Sequence, residues 1–184
     1  MSAYLLYLSG NQNVGLIPSN LDYFNDHFIG EPMTKLWDPP PFEIDNPDGK
    51  LADFISWMNQ SPVISANAKS VLEQSCAGHV ELLPLTKIRG IQYFAVNVTT
   101  LIECIDFQRS KTEYSPVVPD KILAVDEFVL KPFEQLPPVF KDCRYRSVVF
   151  VDEQFARLAR DANLTGVRFL EPSTSRWKAV LGLA

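Results

Sequence analysis

Two histidines, His27 and His79, and three cysteines, Cys76, Cys104 and Cys143, are the residues of this chain best suited to proton transfer or nucleophilic attack near neutral pH. Each stands alone. No Cys-x-x-Cys or His-Glu-x-x-His spacing joins them, so neither a zinc site nor a disulfide frame is suggested. A Cys–His or Ser–His pairing between distant positions stays open at this level, but isolated thiols are expected to be small buried hydrophobes. Carboxylates fall into groups: Glu103 with Asp106, Asp120 with Asp126 and Glu127, and Asp152 with Glu153. A metal nuclease needs acids converging from strand ends beside a Lys or His. Asp126 and Glu127 are adjacent, which on a strand points them to opposite faces, and Asp152 is placed to cap a helix. Phosphate-binding, dinucleotide-binding, nucleophile-elbow and calcium-loop patterns are all missing. The expectation is a protein with no catalysis, no cofactor and no metal.

The elements that would position such residues come next. A chain of 184 residues suits one domain, 1–184, with a sizeable core. "AYLLYL" at 3–8 predicts a first strand, and Leu21, Phe24 and Phe28 have helical spacing behind Ser19. "WDPPPFEI" at 37–44 must be extended, since three consecutive prolines exclude helix; Trp37 and Phe42 flank the run and would pin it as a rigid loop. Leu51, Phe54, Ile55 and Met58 predict a short helix capped by Asp48. Ser65 caps another, with Ala68, Val71, Leu72 and Cys76 facing inward and Gly78 closing it. "VELLPL" and "IQYFAVNV" flank a hairpin loop, "LIECIDF" and "KILAVDEFVL" are further strands, and "QLPPVFK" is a turn or a single helical turn. In "VVFVDEQFARLARDANLTGVRF", a buried strand runs into the Asp152 cap, an amphipathic helix, a left-handed Asn163 and a Gly166 turn. Every residue there has a structural task. Together these elements predict an α+β fold with one mixed, mainly antiparallel sheet and three to four helices.

Charge is informative by region. Residues 1–63 hold eight acids against Lys35 and Lys50, whereas residues 64–184 hold 14 acids against 15 bases. The formal charge of −5 therefore arises in the first third of the chain. Such a distribution disfavours nucleic-acid binding, which needs clustered Lys and Arg, and suits a basic protein partner. No apolar run reaches the ~18–20 residues of a membrane span, and the N-terminus lacks the basic and apolar regions of a secretion signal. With the unpaired cysteines, this predicts a cytoplasmic protein with no membrane partner.

Four pieces in order, "LWDPPPFEI", "PVISANAKSVLE" leading to "HVELLPL", "YFAVNVTTLIECIDFQRS", and "PPVFK" followed by "VVFVDEQFARLARDANLTGVRF", resemble the immunity protein 11 family of bacterial polymorphic toxin systems. They cover about residues 36–170. The resemblance implies a small protein that binds and neutralises a cognate toxin domain without catalysis. Trp37, Ser65, Asp106, Phe140, Gly166 and Phe169 carry the family pattern and read as determinants of the fold. The binding face is expected in the acidic first third instead: Asp22, Asp26, Glu31, Asp38, Glu43, Asp45 and Asp48, with Tyr23 and Trp37 as anchors. Nuclease toxins carry basic clefts, and an acidic inhibitor can occupy such a cleft. The alternatives are a regulatory or adaptor domain with no toxin partner and a small hydrolase with an unrecognised site.

Overall fold

The computed structural model describes residues 2–8, 12–20, 27–57 and 61–174. In chain order these form β1 (Ala3–Leu8), β2 (Gly15–Pro18), a single 3-10 turn (Thr34–Leu36), β3 (Phe42–Asp45), β4 (Phe54–Trp57), β5 (Ser61–Ser65), α1 (Ala66–Ser75), β6 (Val80–Pro84) and β7 (Tyr93–Val98). Then follow β8 (Leu101–Ile102), β9 (Lys111–Tyr114), β10 (Ile122–Glu127), β11 (Val139–Asp142), β12 (Phe150–Asp152), α2 (Glu153–Asp161) and β13 (Val167–Leu170).

The α+β class holds, but the expected single sheet is three. A six-stranded sheet has the order β3-β2-β4-β5-β7-β6, a five-stranded sheet the order β13-β1-β12-β11-β8, and β9 and β10 form a separate ribbon. Pairing is mainly antiparallel, with β2–β4 and β8–β11 parallel. Strand periodicity does not encode partners: β1 pairs with β12 and β13, near the other end of the chain. The expected three to four helices are also corrected, to two α-helices among the described residues. The segment around Phe54 is strand β4. Phe54, Ile55 and Trp57 are all fully buried because both faces of β4 are covered. A doubly buried strand is continuously apolar and satisfies helical spacing by accident. The other predicted helix, around residues 19–28, lies mostly outside the described residues. "QLPPVFK" is likewise corrected, since Val139 and Phe140 belong to β11.

Both helices start as their sequences dictate. The Ser65 hydroxyl accepts the Ala68 N–H at 3.3 Å, and the Asp152 carboxylate accepts the Phe155 N–H at 2.7 Å. Each satisfies a donor that the first helical turn leaves open. The β6–β7 hairpin ends in a two-residue turn with Arg89 and Gly90 both at positive φ, the geometry that matches strand twist. Asn163 is left-handed at φ 52° and closes α2.

Three cores result. The first, with Leu16, Ile55, Trp57 and Tyr93, lies on one face of the six-stranded sheet. The second lies between the sheets, where Phe54, Ile64 and Val96 meet Val139 and Val151, with α1 and α2 contributing Leu72 and Phe155. The third packs Leu5, Phe140 and Phe150 against Val125 and Phe128 at the end of the ribbon.

The two large sheets are clasped at one point. Asp53, just before β4, donates its N–H to the Thr165 hydroxyl at 3.0 Å, and its carboxylate accepts the Thr165 N–H at 2.9 Å and hydroxyl at 2.8 Å. The same carboxylate accepts the Ser65 hydroxyl at 2.7 Å and the Asn67 amide at 3.2 Å, at the start of α1. Burial pushes this carboxyl upward, but the hydrogen bonds from Thr165, Ser65 and Asn67 outweigh it and hold it below the usual aspartate range. Gly166, at φ 81°, lies so close to β4 that an added Cβ would fall 2.0 Å from the Phe54 carbonyl oxygen.

Gly166→Ala should therefore cost at least about 2 kcal/mol, read as a lower urea midpoint, because neither its φ nor its space admits a side chain. Asp53→Asn should cost about 1–3 kcal/mol at pH 7. Since the folded carboxyl is depressed, the stability it adds is complete above the unfolded value near pH 4 and vanishes as pH falls through the folded value. Urea melts of the two proteins should thus differ at pH 7 and converge in acid; a constant gap would assign the loss to packing.

Candidate functional site

The positions first considered for chemistry do not converge. His79 bonds the Thr100 hydroxyl at 2.8 Å, and His27 lies on the exterior. Cys76 is fully buried, and burial, helped by the Asp152 charge, pushes its thiol up to about 11. Burial and neighbouring Asp142 raise the Cys104 thiol further. Such thiols stay protonated at neutral pH and do not serve as nucleophiles. Asp142 is itself committed, accepting the N–H groups of Cys104 and Ile105 at 2.9 Å and of Arg144 at 2.8 Å. Asp126 and Glu127 both reach Lys111, at 2.8 and 3.8 Å, because a register irregularity in β10 departs from strict alternation. No group of three or more His, Cys, Asp or Glu side chains capable of holding a metal occurs among the described residues, and no helix there is long and apolar enough to cross a membrane. A cavity of about 550 Å³ opens between the start of β1, residues 128–136 and residues 171–173. Its walls include Phe128, Leu130 and Phe133 and hold neither a histidine nor a cysteine.

What the fold does present is an acidic strap. Residues 28–41 run over the first core, and Phe28, Met33 and Trp37 pack onto it. Glu81 of β6 fastens the strap. Its carboxylate accepts the Met33 N–H at 2.7 Å, the Thr34 N–H at 3.1 Å, the Thr34 hydroxyl, and the Asn97 amide at 3.0 Å. Burial raises this carboxyl, but the bonds from Thr34, Met33 and Asn97 together leave it lowered. Trp37 donates its indole N–H to the Pro84 carbonyl at 2.7 Å and meets Phe28 edge-to-face at 6.2 Å. Trp37 is thereby engaged in holding the strap, with its side chain partly buried. Pro39, Pro40 and Pro41 then lead into β3.

β3 is an edge strand of the six-stranded sheet. Its alternation puts Phe42 and Ile44 on the side of Leu16 and the first core, and Glu43 and Asp45 together on the opposite side. Ile17 of β2 lies directly opposite Glu43 and is 40% exposed; Ile44 is 37% exposed. The face is therefore two carboxylates around an exposed apolar side chain. Asp48 follows in the turn Asn46–Gly49, which Arg89 at the β6–β7 tip grips through the Pro47 and Gly49 carbonyls. Asp38 is exposed at the head of the proline run. Glu31 is exposed too, but its carbonyl is held by Asn97 over β7, with β2, β4 and β5 between it and β3 in the strand order. Of the nine residues expected at the binding face, the structure thus joins Glu43 and Asp45 on one face and sets Asp48 just beyond them. Asp22, Tyr23 and Asp26 lie outside the described residues.

Sequence reasoning missed Ile17, which only strand pairing brings beside Glu43 and Asp45, and Ile44, which lies between those acids in sequence but faces the other way. It also missed the ribbon tip, where Val117 is 85% exposed with Val118, Tyr114 and Leu123 nearby. Two valines between Pro116 and Pro119 were the available signal, within a stretch that is otherwise polar.

Glu81→Gln should loosen the strap by about 1–2 kcal/mol, a figure already discounted for its solvent exposure. The check is tryptic nicking at Lys35, exposed in the 3-10 turn, which should accelerate in the variant while the global urea midpoint moves little.

A profile of the immunity protein family Imm11 matches residues 12–174. The match begins earlier than the residues that carried the resemblance, and it takes in β2, the strap and β3. A search of curated proteins returns no match.

Proposed function

The chain belongs to the immunity protein family Imm11, and from that membership we propose that it binds and neutralises a cognate toxin domain, acting stoichiometrically and without catalysis. The toxin-facing surface is the acidic first third: Asp22, Asp26, Glu31, Asp38, Glu43, Asp45 and Asp48, with Tyr23 and Trp37 as neighbouring aromatic contacts. The family match carries the reading. The disposition of the acids supports it, since Asp53 and Glu81 are consumed by internal hydrogen bonds while Glu31, Glu43, Asp45 and Asp48 are exposed. Carboxylates displayed on a strap and a sheet edge attract a basic surface, and a nuclease that holds phosphates offers one.

The test takes as its partner a toxin domain sought in the neighbouring reading frame. Co-expression with this chain should restore growth of the toxin-producing cell, and the two proteins should co-purify; absence of both results overturns the proposal. Reversing Asp22, Asp26, Asp45 and Asp48 to Lys should slow association by about tenfold or more at low ionic strength. Added salt should slow the native protein and speed the reversed one, because screening removes an attraction in the first and a repulsion in the second. Val117→Asp, on the ribbon, is the control and should leave the association rate unchanged; the opposite pattern would move the interface to the ribbon.

A further inference from the structure

The free edge of β3 has a polarity that strand register makes readable. Ser19 donates its N–H to the Pro41 carbonyl at 3.0 Å, which makes Ser19–Pro41 a hydrogen-bonded pair. Antiparallel ladders alternate bonded and non-bonded pairs, so Ile17–Glu43 and Gly15–Asp45 are bonded in turn, and Pro18–Phe42 and Leu16–Ile44 are not. The N–H and C=O groups of Phe42 and Ile44 therefore point away from β2. Among the described residues no strand lies on that side, because β3 ends the strand order. Glu43 and Asp45 project from the same strand to one face, and Ile44 to the other.

We propose that β3 accepts an extended segment of the cognate toxin as a seventh strand of this sheet, and that the segment alternates basic with apolar residues. This rests on the function proposed above and names how the toxin is held. Main-chain bonds to Phe42 and Ile44 supply the pairing, as in other cases of strand addition. Charge selects the partner. Basic side chains of the added strand fall beside Glu43 and Asp45, and apolar ones beside Ile44, which is 37% exposed and has no cross-strand neighbour on its outer side among the described residues. Asp48, three residues after the strand, extends the negative field along the incoming segment.

Amide hydrogen exchange on the full chain, alone and with the toxin domain from the neighbouring frame, reads this directly. Phe42 and Ile44 should each slow by at least about tenfold in the complex, as main-chain groups taken into a ladder do. Ile44→Pro removes one outward N–H without touching a bond to β2, and should weaken binding by about ten- to a hundredfold, because the toxin carbonyl it serves is left unpaired. Glu43→Gln with Asp45→Asn, which keeps the strand and deletes its charge, should slow association and leave the exchange pattern of the complex in place. If the complex forms while Phe42 and Ile44 exchange as fast as in the free protein, strand addition is wrong and toxin binding stands. If the toxin domain does not bind at all, both are wrong. Should Ile44→Pro fail to fold, the exchange measurement on the native chain still decides.

Discussion

The Asp53 carboxylate is the constraint on which the rest of the arrangement depends. It stands at the entrance to β4, receives the cap of α1 through Ser65 and Asn67, and holds Thr165 on the approach to β13. One side chain thus fixes a strand of the first sheet, the start of a helix and the approach to a strand of the second sheet. The Asp53–Thr165 contact spans 112 residues of sequence. Closing so long a loop costs conformational entropy that no local propensity repays, so a dense set of directed bonds at the closure point is what makes the pairing definite. Gly166 completes the contact by letting backbone approach backbone. Once the two sheets are joined here, the second core that they share can exclude water, and α1 and α2 have a surface on which to bury Leu72 and Phe155.

The acids of the first third divide by what surrounds them. Asp53 is enclosed by donors and Glu81, from further along the chain, is enclosed in the same way; each is held in its ionised form by hydrogen bonds that overcome desolvation. Asp38, Glu43, Asp45 and Asp48 are exposed, and exposed charge contributes little to stability. Its physical effect is at longer range, on what approaches. The strap that carries Asp38 is anchored by Glu81 and by Trp37, so the field is presented from a rigid support, and less ordering entropy is lost when a partner binds.

Local chemistry was the part of the fold legible in sequence. Ser65 and Asp152 cap because a short oxygen-bearing side chain before an amphipathic run has one low-energy use; Asn163 and Gly166 turn because few other residues tolerate positive φ. β4 was misread because its two covered faces erase the alternation that marks a strand. Nothing local divides the strands among three sheets, because ladder partners are chosen by burial across the whole chain. At the candidate site, composition located the acids but not their company. Ile17 joins the acids only when β2 and β3 are aligned, and Trp37, expected as an anchor for a partner, spends its indole N–H on Pro84.

An edge strand invites pairing with any strand, including another copy of itself, and soluble proteins must blunt it. β3 is short, is bracketed by Pro41 and Pro47, and carries Glu43 and Asp45. Two copies pairing antiparallel about Ile44 would set Glu43 of each against Asp45 of the other, bringing four carboxylates onto one face. Like charges directly opposite across a ladder oppose that pairing. The same carboxylates favour a strand bearing Lys or Arg at those positions. On the proposed mode of binding, a single pair of acids would oppose self-association and favour a basic partner through the same Coulomb term, its sign set by the incoming chain. An edge blunted by prolines alone would reject both. Blunting by charge leaves the main-chain groups of Ile44 available, on condition that the partner neutralises what guards them.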